Sequence, residues 1–559
     1  MKLAAIRSTV LVAGAVLLVG LVFAVFTQHA WEDYWITFRV SRNLATGHGL
    51  VYTPGERLHS FTSPLGVLLP AAFCWLTGNQ SDALVLWLFR LTSLGFLAAG
   101  MVLLFQALQS LQLQRVACWL TVALVGLDAK IVDFSINGME TGLLIFFLAL
   151  AIHGLLVAGP RQMLRIGVGW AGLMWTRPDS CVYIAILGVG ALLFLPGRTG
   201  GKSRVEWIKM LFFAGLVCAV LYAGWFVWAW WYYGTPVPHT IAAKGANRPP
   251  FLFDVLIADL VMFPVKLLTP FATSLQFTFL PGYADHGGWP TVLSVASYTL
   301  GFLAAFAWVL PGMRPATRLF SLSCFLGNFY LTAVLKYYPP WYLPTVAVLG
   351  YLTLGLLFDQ ALSLAERLSQ SPGGGGWGRC LHGGLRMVGI GLVAGQLAVT
   401  VCVARQLQLQ QALIENGLRR PIGLWLRAHA QTPRDTVMLE PLGYIGYYSG
   451  LKMLDIPGLA SREVVQTRKR LGPYRENQIG LELKPDWLVL RPCDLFEPFP
   501  ESKYLQELYE PVKVFDASDK IKAIHWLPGR PYLQFDQLFI VYHRKPEATA
   551  EPPAPESGK

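Results

Sequence analysis

The sequence predicts a polytopic α-helical membrane protein that ends in a small soluble α/β domain. Three observations predict it. Of the 559 residues 54% are hydrophobic and only 14% charged, and apolar runs of spanning length recur through positions 1–404. Lysine and arginine gather in alternate short loops between those runs, as the sidedness of a membrane requires. From about Arg405 onward the composition becomes that of an ordinary soluble chain, with short strand-like runs between helical stretches.

The elements follow in chain order. Lys2 and Arg7 precede an apolar run, near 8–27, that is too long for a signal peptide and lacks a small-x-small cleavage site, so it reads as an uncleaved first helix. A polar outer loop, 28–82, comes next. The apolar piece Leu65–Leu76 within it is too short to cross and reads as interfacial. Further spans are predicted near 83–110, 116–130, 140–158, 163–176, 179–195, 208–232, 290–311, 319–335, 340–359 and 386–404, about eleven crossings with the first. With the N-terminus inside, every inward loop is basic: Arg115; Arg161 and Arg165; Arg198, Lys202 and Arg204; Arg314 and Arg318; Arg367, Arg379 and Arg386. The net charge of +12 is therefore topological and does not point to nucleic acid. The outward loops are Trp31–Ser81, Asp133–Glu140, Thr176–Ser180, Gly234–Trp289 and Lys336–Trp341. An odd number of crossings puts the C-terminal domain outside as well.

Segment 251–280 is apolar but carries Pro264, Pro270, Asp254, Asp259 and Lys266, which argues for an interfacial or re-entrant piece. Residues 371–376 form a flexible inward linker. In the domain at 405–545, strands are expected at 437–439, 452–456, 487–490, 512–515 and 538–542, with helices at 462–470 and 503–509. The tail, 546–559, reads as disordered. The eight cysteines are scattered and show no disulfide framework or metal-ligand spacing.

The chemistry concentrates between Trp31 and Pro64. This loop holds adjacent acids (Glu32, Asp33), three arginines (Arg39, Arg42, Arg57), two histidines (His48, His59) and a run of hydroxyls from Thr53 to Ser63. A simple tether needs nothing so polar. A paired acid beside a basic, glycine-rich segment suits a site that activates a hydroxyl and holds a phosphate. Tyr34 and Trp35 would shield the carboxylates and tune Asp33 toward the range of a base, and Glu32 is a candidate by adjacency. Other outward residues join the list. Glu140 begins a helix, where an acid also suits the dipole. Arg177 and Asp179 bracket Pro178 and are placed to pair with each other. His239 and Lys244 follow the aromatic run Trp225–Tyr233, where a phosphate can be held. Lys336, Tyr337 and Tyr338 read as an aromatic belt with a snorkelling lysine. Gly443-x-x-Gly446-x-x-x-Gly450 lacks dinucleotide-binding spacing, and tight turns account for it.

The stretch EDYWITFRVSRNLATGHGLVYTPGERLHSFTSPL resembles the acidic first-loop signature of GT-C glycosyltransferases related to the mycobacterial terminal arabinofuranosyltransferase, D-D-A-Y-I-x-F-R-x-x-x-N-L-x-x-G-x-G-L-V-x-N-P-G-E-x-V-x-x-x-T-x-P-L. Four further islands are similar to that family. They are Asn137–Thr141; Arg177-Pro178-Asp179; Tyr233-Gly234-Thr235-Pro236 with Pro238, His239, Thr240 and Ala243-Lys244; and Gly443–Tyr447 with Asp455–Leu459. The chain departs from the pattern at Glu32, Trp35, Ser180 and His239. The resemblance implies a GT-C-like fold, a polyprenyl-phosphate sugar donor, transfer at the outer face of a bacterial inner membrane, and the second acid, Asp33, as catalytic carboxylate.

The function expected is transfer of a sugar, arabinofuranose being one candidate, to a hydroxyl of a cell-envelope glycan, lipid or protein. Donor phosphate contacts are expected from Arg39, Arg57, His59, His239 and Lys244. Because a prenyl phosphate leaves as a stabilised anion, no metal is obligatory, although Glu32, Asp33 and Glu140 would suit a divalent ion. Two other classes fit the composition. A transporter or lipid flippase would place charges at the bilayer midplane and show internal repeats. A non-catalytic assembly factor would tolerate alanine throughout the first loop.

Overall fold

An apolar run in lipid becomes a helix because only a helix satisfies all of its backbone groups within the segment. The computed structural model describes residues 2–197, 201–245, 257, 261–262, 266–336, 338–371, 375–472 and 474–546. Its helices are α1 (Lys2–Thr27), α2 (Glu32–Ala45), α3 (Pro64–Leu76), α4 (Asp82–Ser110), α5 (Arg115–Gly126), α6 (Ala129–Ile136), α7 (Thr141–Leu156), α8 (Gln162–Thr176), α9 (Cys181–Phe194), α10 (Arg204–Tyr233) and α11 (His239–Gly245). These are followed by α12 (Leu268–Phe279), α13 (Thr291–Phe306), α14 (Pro315–Phe329), α15 (Leu343–Gln370), α16 (Gly375–Leu409) and α17 (Arg420–His429). Among the described residues six helices are long and apolar enough to cross a membrane, or seven if the bent pair α6 and α7 is one span. The remaining expected spans fall on the shorter helices α5, α8, α9 and α14. Much of the 251–280 piece, Arg198, Tyr337, the centre of the 371–376 linker and the tail beyond Pro546 lie outside the described residues.

The break between α6 and α7 organises one end of the bundle. The two helices bend by 117° across Asn137–Glu140. Asp128 caps α6 by accepting from the backbone N–H groups of Lys130 (3.0 Å) and Ile131 (3.1 Å). Gly138 sits at φ +99°, and a Cβ there would lie 2.3 Å from the Tyr34 ring, so only glycine permits the approach. Buried Arg90 of α4 donates to the carbonyls of Ile136 (2.7 Å) and His29 (2.5 Å), while the Trp31 N–H donates to the Asn137 carbonyl at 2.8 Å. The start of α2 is thus pinned to the break.

The C-terminal domain contains β1 (Thr436–Leu439), α18 (Leu442–Ser449), β2 (Lys452–Asp455), α19 (Arg462–Leu471), β3 (Trp487–Leu490), α20 (Ser502–Leu508), β4 (Tyr509–Asp516) and β5 (Leu538–Arg544). The sheet order is β2-β1-β3-β5-β4, parallel through β2, β1 and β3 and antiparallel through β3, β5 and β4. Strand β3, Trp-Leu-Val-Leu, is buried along its whole length, as an inner strand covered on both faces must be.

The boundary expected at 404/405 falls inside a helix. From α16 the chain continues through π-helical turns at Gln410–Arg419 into α17 without a break. Composition changes there because the side chains turn from lipid to protein partners: Gln406 donates to the Gly529 carbonyl (3.2 Å), and the Gln411 side chain accepts from the Ala30 N–H (2.9 Å).

Helix α18 docks on α2. Arg39 donates to the carbonyls of Gly446 (2.7 Å), Gly450 (3.1 Å) and Leu451 (3.0 Å) with its guanidinium over the Tyr52 ring. Trp35, a departure from the family pattern, packs among Tyr444, Tyr447 and Tyr448 with ring centroids 4.7–5.2 Å away. Tight turns explain only Gly450, at φ +72°. Gly443 and Gly446 are helical and needed for close approach, since a Cβ would meet the Glu32 carbonyl at 2.0 Å or the Tyr52 hydroxyl at 2.1 Å. Replacing Arg39 with methionine leaves three carbonyls without that donor. The expected cost to docking is about 3 kcal/mol, read as faster amide exchange over 443–451 with the helical bundle unchanged.

Candidate active site

One cleft gathers residues from all five loops that the sequence places on one side of the membrane. Its walls are Asp33, Thr37, Ser60 and Ser63 of the first loop, Glu140 after the α6–α7 break, Arg177 at the end of α8, Thr240 and Lys244 of α11, and Trp341 and Tyr342 before α15. Leu459 of the C-terminal domain closes one side, and the enclosed space is about 60 Å³.

Arg177 is its electrostatic centre. The buried guanidinium donates to Glu140 at 3.2 Å and to both oxygens of Asp179, at 3.2 and 3.4 Å. It also lies 4.3 Å from the centroid of the Tyr342 ring, with Lys244 Nζ 5.7 Å from the same centroid. Arg177 and Asp179 thus pair as their spacing suggested, and the same arginine holds Glu140. Burial raises Asp33 above the ordinary aspartate range, against the pull of Lys244 and then Arg177. Among the described residues no carboxylate accepts a hydrogen bond from Lys244. Among the described residues the buried hydroxyls of Ser60 and Thr240 also lack a hydrogen-bond partner, so the cleft offers a cation and free hydroxyl groups beside a base.

Five expected site residues lie elsewhere, each for a physical reason. Glu32, expected beside Asp33, points to the other side of α2. It accepts from the backbone N–H groups of Gly443 (2.5 Å) and Tyr444 (3.4 Å) and from Arg419 (3.3 Å). The three carboxylates suggested for a divalent ion therefore do not converge, and among the described residues no group of three or more metal-binding side chains occurs. Arg39, expected on the donor phosphate, instead spends three of its N–H groups on the carbonyls at its docking contact. His59 is buried and stacked on Tyr233 (4.6 Å, 7° between planes), and burial lowers it to about 4, so it is neutral and not an anion contact at pH 7. Arg57 lies over the Tyr232 ring, in a neighbouring cleft. His239 opens α11, its N–H donating to the His59 carbonyl at 2.8 Å, and burial lowers its pKa too. It positions Thr240 and Lys244 without lining the cleft.

Sequence reasoning passed over Tyr342, Thr240 and Arg419. Thr240 stood inside a recognised motif and Tyr342 beside an outward aromatic cluster, so both left a signal. Arg419 left none. It joins Glu32, Glu415 (2.8 Å) and Asp536 (2.7 Å), acids remote from one another in the chain, of which only Glu415 is its sequence neighbour.

Comparison with known proteins adds family evidence. Residues 405–537 match the profile described as Domain of unknown function (DUF8728). The chain is similar to the terminal beta-(1->2)-arabinofuranosyltransferase of Corynebacterium glutamicum, 27% identical over 242 residues, which cover 39% of this chain and 33% of that protein. It is likewise similar to the Mycobacterium tuberculosis protein of the same name, 26% identical over 291 residues, 46% of this chain and 43% of that one. The chain thus matches less than half the length of these curated relatives. Both carry the name of the family that the first-loop signature resembles. Among solved structures, ArnT from Cupriavidus metallidurans bound to undecaprenyl phosphate aligns with a TM-score of 0.47 and 12% identity over 95% of this chain and 97% of that chain.

Burial pushes Glu32 up to about 8 from an ordinary 4.5, against Arg419. The folded protein therefore keeps a proton there that the unfolded chain releases. The stability this contributes is complete below 4.5 and drains away as the pH rises through about 8. Protection of amides 443–451 should fall between about pH 4.5 and about pH 8 in the wild type and stay flatter in Glu32→Gln, which cannot ionise. Parallel loss in both proteins would assign the effect to another group.

Proposed function

We propose that this chain is a membrane glycosyltransferase that moves one sugar from a polyprenyl-phosphate donor to an acceptor hydroxyl on a cell-envelope glycan, lipid or protein. The reading places the reaction on the outer face of the inner membrane, with about eleven crossings and both the cleft and the C-terminal domain outside. One observation carries it: among the described residues, a base raised by burial shares one cleft with a lysine that donates to no carboxylate and with hydroxyls that have no hydrogen-bond partner. Partial similarity to two proteins named arabinofuranosyltransferase supports the class and makes arabinofuranose the first sugar to test.

In the inverting form, Asp33 takes the proton of the acceptor hydroxyl as its oxygen bonds to the anomeric carbon. The bond from that carbon to the phosphate oxygen breaks, and the phosphate leaves with the electron pair. Lys244 meets the departing charge. Arg177, whose charge is largely spent on Glu140 and Asp179, keeps the pocket wall in place and faces Tyr342. Ser60 and Thr240 supply hydrogen bonds to sugar hydroxyls. A retaining form would use Asp33 to stabilise an oxocarbenium-like centre or to form a covalent adduct. The stereochemistry of the product distinguishes the two.

Purified protein with polyprenyl-phosphate arabinofuranose or mannose tests this reading. Asp33→Asn should lower turnover by about 10³-fold or more while leaving membrane insertion and expression unchanged; near-normal turnover would remove Asp33 from the mechanism. Because its pKa is raised, wild-type activity should fall on the acid side at a pH above the ordinary aspartate range, as the base becomes protonated. Lys244→Met should weaken donor binding by about tenfold, seen as a higher KM for the donor.

A further inference from the structure

A second cleft, with a volume of about 710 Å³, lies between Glu56–Leu58 of the first loop, Tyr232–Gly234 at the end of α10, and Arg462, Glu463 and Gln466 of α19. It is separate from the cleft that holds Asp33. Buried His59 parts the two, its carbonyl accepting from the His239 N–H at 2.8 Å.

The charges of this cleft are unevenly spent. Glu56 and Glu463 both accept from Lys452 (2.7 and 2.5 Å), and among the described residues neither acid pairs with Arg57 or Arg462. The Arg57 guanidinium lies 5.2 Å from the centroid of the Tyr232 ring, and Arg462 donates to the Arg57 carbonyl at 3.4 Å. Both arginines are exposed. Lys469 extends the patch, because positions 462, 466 and 469 recur at helical spacing and so place Arg462, Gln466 and Lys469 on one exposed face of α19. After burial, the charges of Arg462 and Lys469 also lower His239, so the field of both reaches the loop that follows α10. Four cations thus meet two acids, an excess that favours an anion.

The position of the patch selects among anions. Helix α10 has the length and hydropathy of a membrane span, and its last turn exposes Trp230 and Trp231 immediately before Tyr232. Exposed tryptophans at the end of an apolar helix mark the level of the lipid headgroups. The cleft therefore opens at the depth of the bilayer phosphates, where each lysine or arginine adds to the attraction of an anionic lipid. Guanidinium groups also match the geometry of phosphate oxygens.

We propose that this cleft binds the phosphate of an anionic phospholipid, held between Arg57 of the first loop and Arg462 of α19 with Lys469 alongside. The bound lipid ties the C-terminal domain to the membrane surface at a point away from Asp33. The binding involves no sugar transfer, so it stands or falls independently of the function proposed above.

The full chain in a zwitterionic detergent, titrated with phosphatidylglycerol or phosphatidylcholine and read by native mass spectrometry, tests the site. The wild type should bind its first phosphatidylglycerol about tenfold more tightly than phosphatidylcholine, and Arg57→Gln/Arg462→Gln should remove that preference. Gln466→Lys, which adds a cation to the same exposed face, should tighten phosphatidylglycerol by about fivefold, a gain that misfolding does not produce. Equal binding of the two lipids by the wild type, or unchanged phosphatidylglycerol affinity in either variant, would overturn the proposal. So would displacement of the lipid by millimolar inorganic phosphate, which would mark a site for a free anion. A larger loss of polyprenyl phosphate than of phosphatidylglycerol in the glutamine pair would also sink it, by giving the cleft to the sugar donor.

Discussion

The approach of Tyr34 to Gly138 is the contact on which the cleft end of this molecule depends. No side chain fits between the break and α2, so the loop that carries Glu140 and the helix that carries Asp33 lie at a single fixed spacing. Arg90 reinforces this from below by joining the carbonyls on either side, and the N–H of Trp31 adds a backbone bond. Without the sharp bend after α6, Glu140 would continue along a helix instead of meeting Arg177. The Asn-Gly-Met-Glu island is thus a folding instruction and a source of polar chemistry in the same residues.

Adjacent acids at the start of α2 divide two tasks by geometry. Consecutive residues on a helix project about 100° apart, which sends Asp33 into the cleft and Glu32 onto α18. Each face then has its own buried arginine. Arg177 serves Glu140 and Asp179, and Arg419 serves Glu32, Glu415 and Asp536. In both clusters acids outnumber the arginine, an arrangement that retains protons where charge would otherwise be stranded away from water.

Most of the architecture was legible because it depends on local pattern. The expected strands and the two expected helices of the C-terminal domain coincide with observed elements to within three residues at their ends, and the expected spans all meet helices. The convergence of the outward loops was legible too, since alternating basic loops fix which segments share a side. What local pattern does not carry is the partner of a charged residue. Arg39 reads as an anion contact until Gly446, 407 residues later, supplies its carbonyl. His59 reads as a basic loop residue until Tyr233 covers it. Glu32 and Asp33 look equivalent until Gly443 claims one of them. The glycines of α18 likewise looked like turns because their need arises from another helix.

The unbroken run from Gly375 to His429 joins bundle to sheet through helix, with no hinge in between. Such a shaft transmits rotation. Adding or deleting one residue anywhere along it would swing the sheet domain by about 100° around the axis, carrying Leu459 off the cleft and Gly443 off its acid. The length of this segment is therefore as tightly specified as any side chain in the cleft, even though much of its helical surface is exposed.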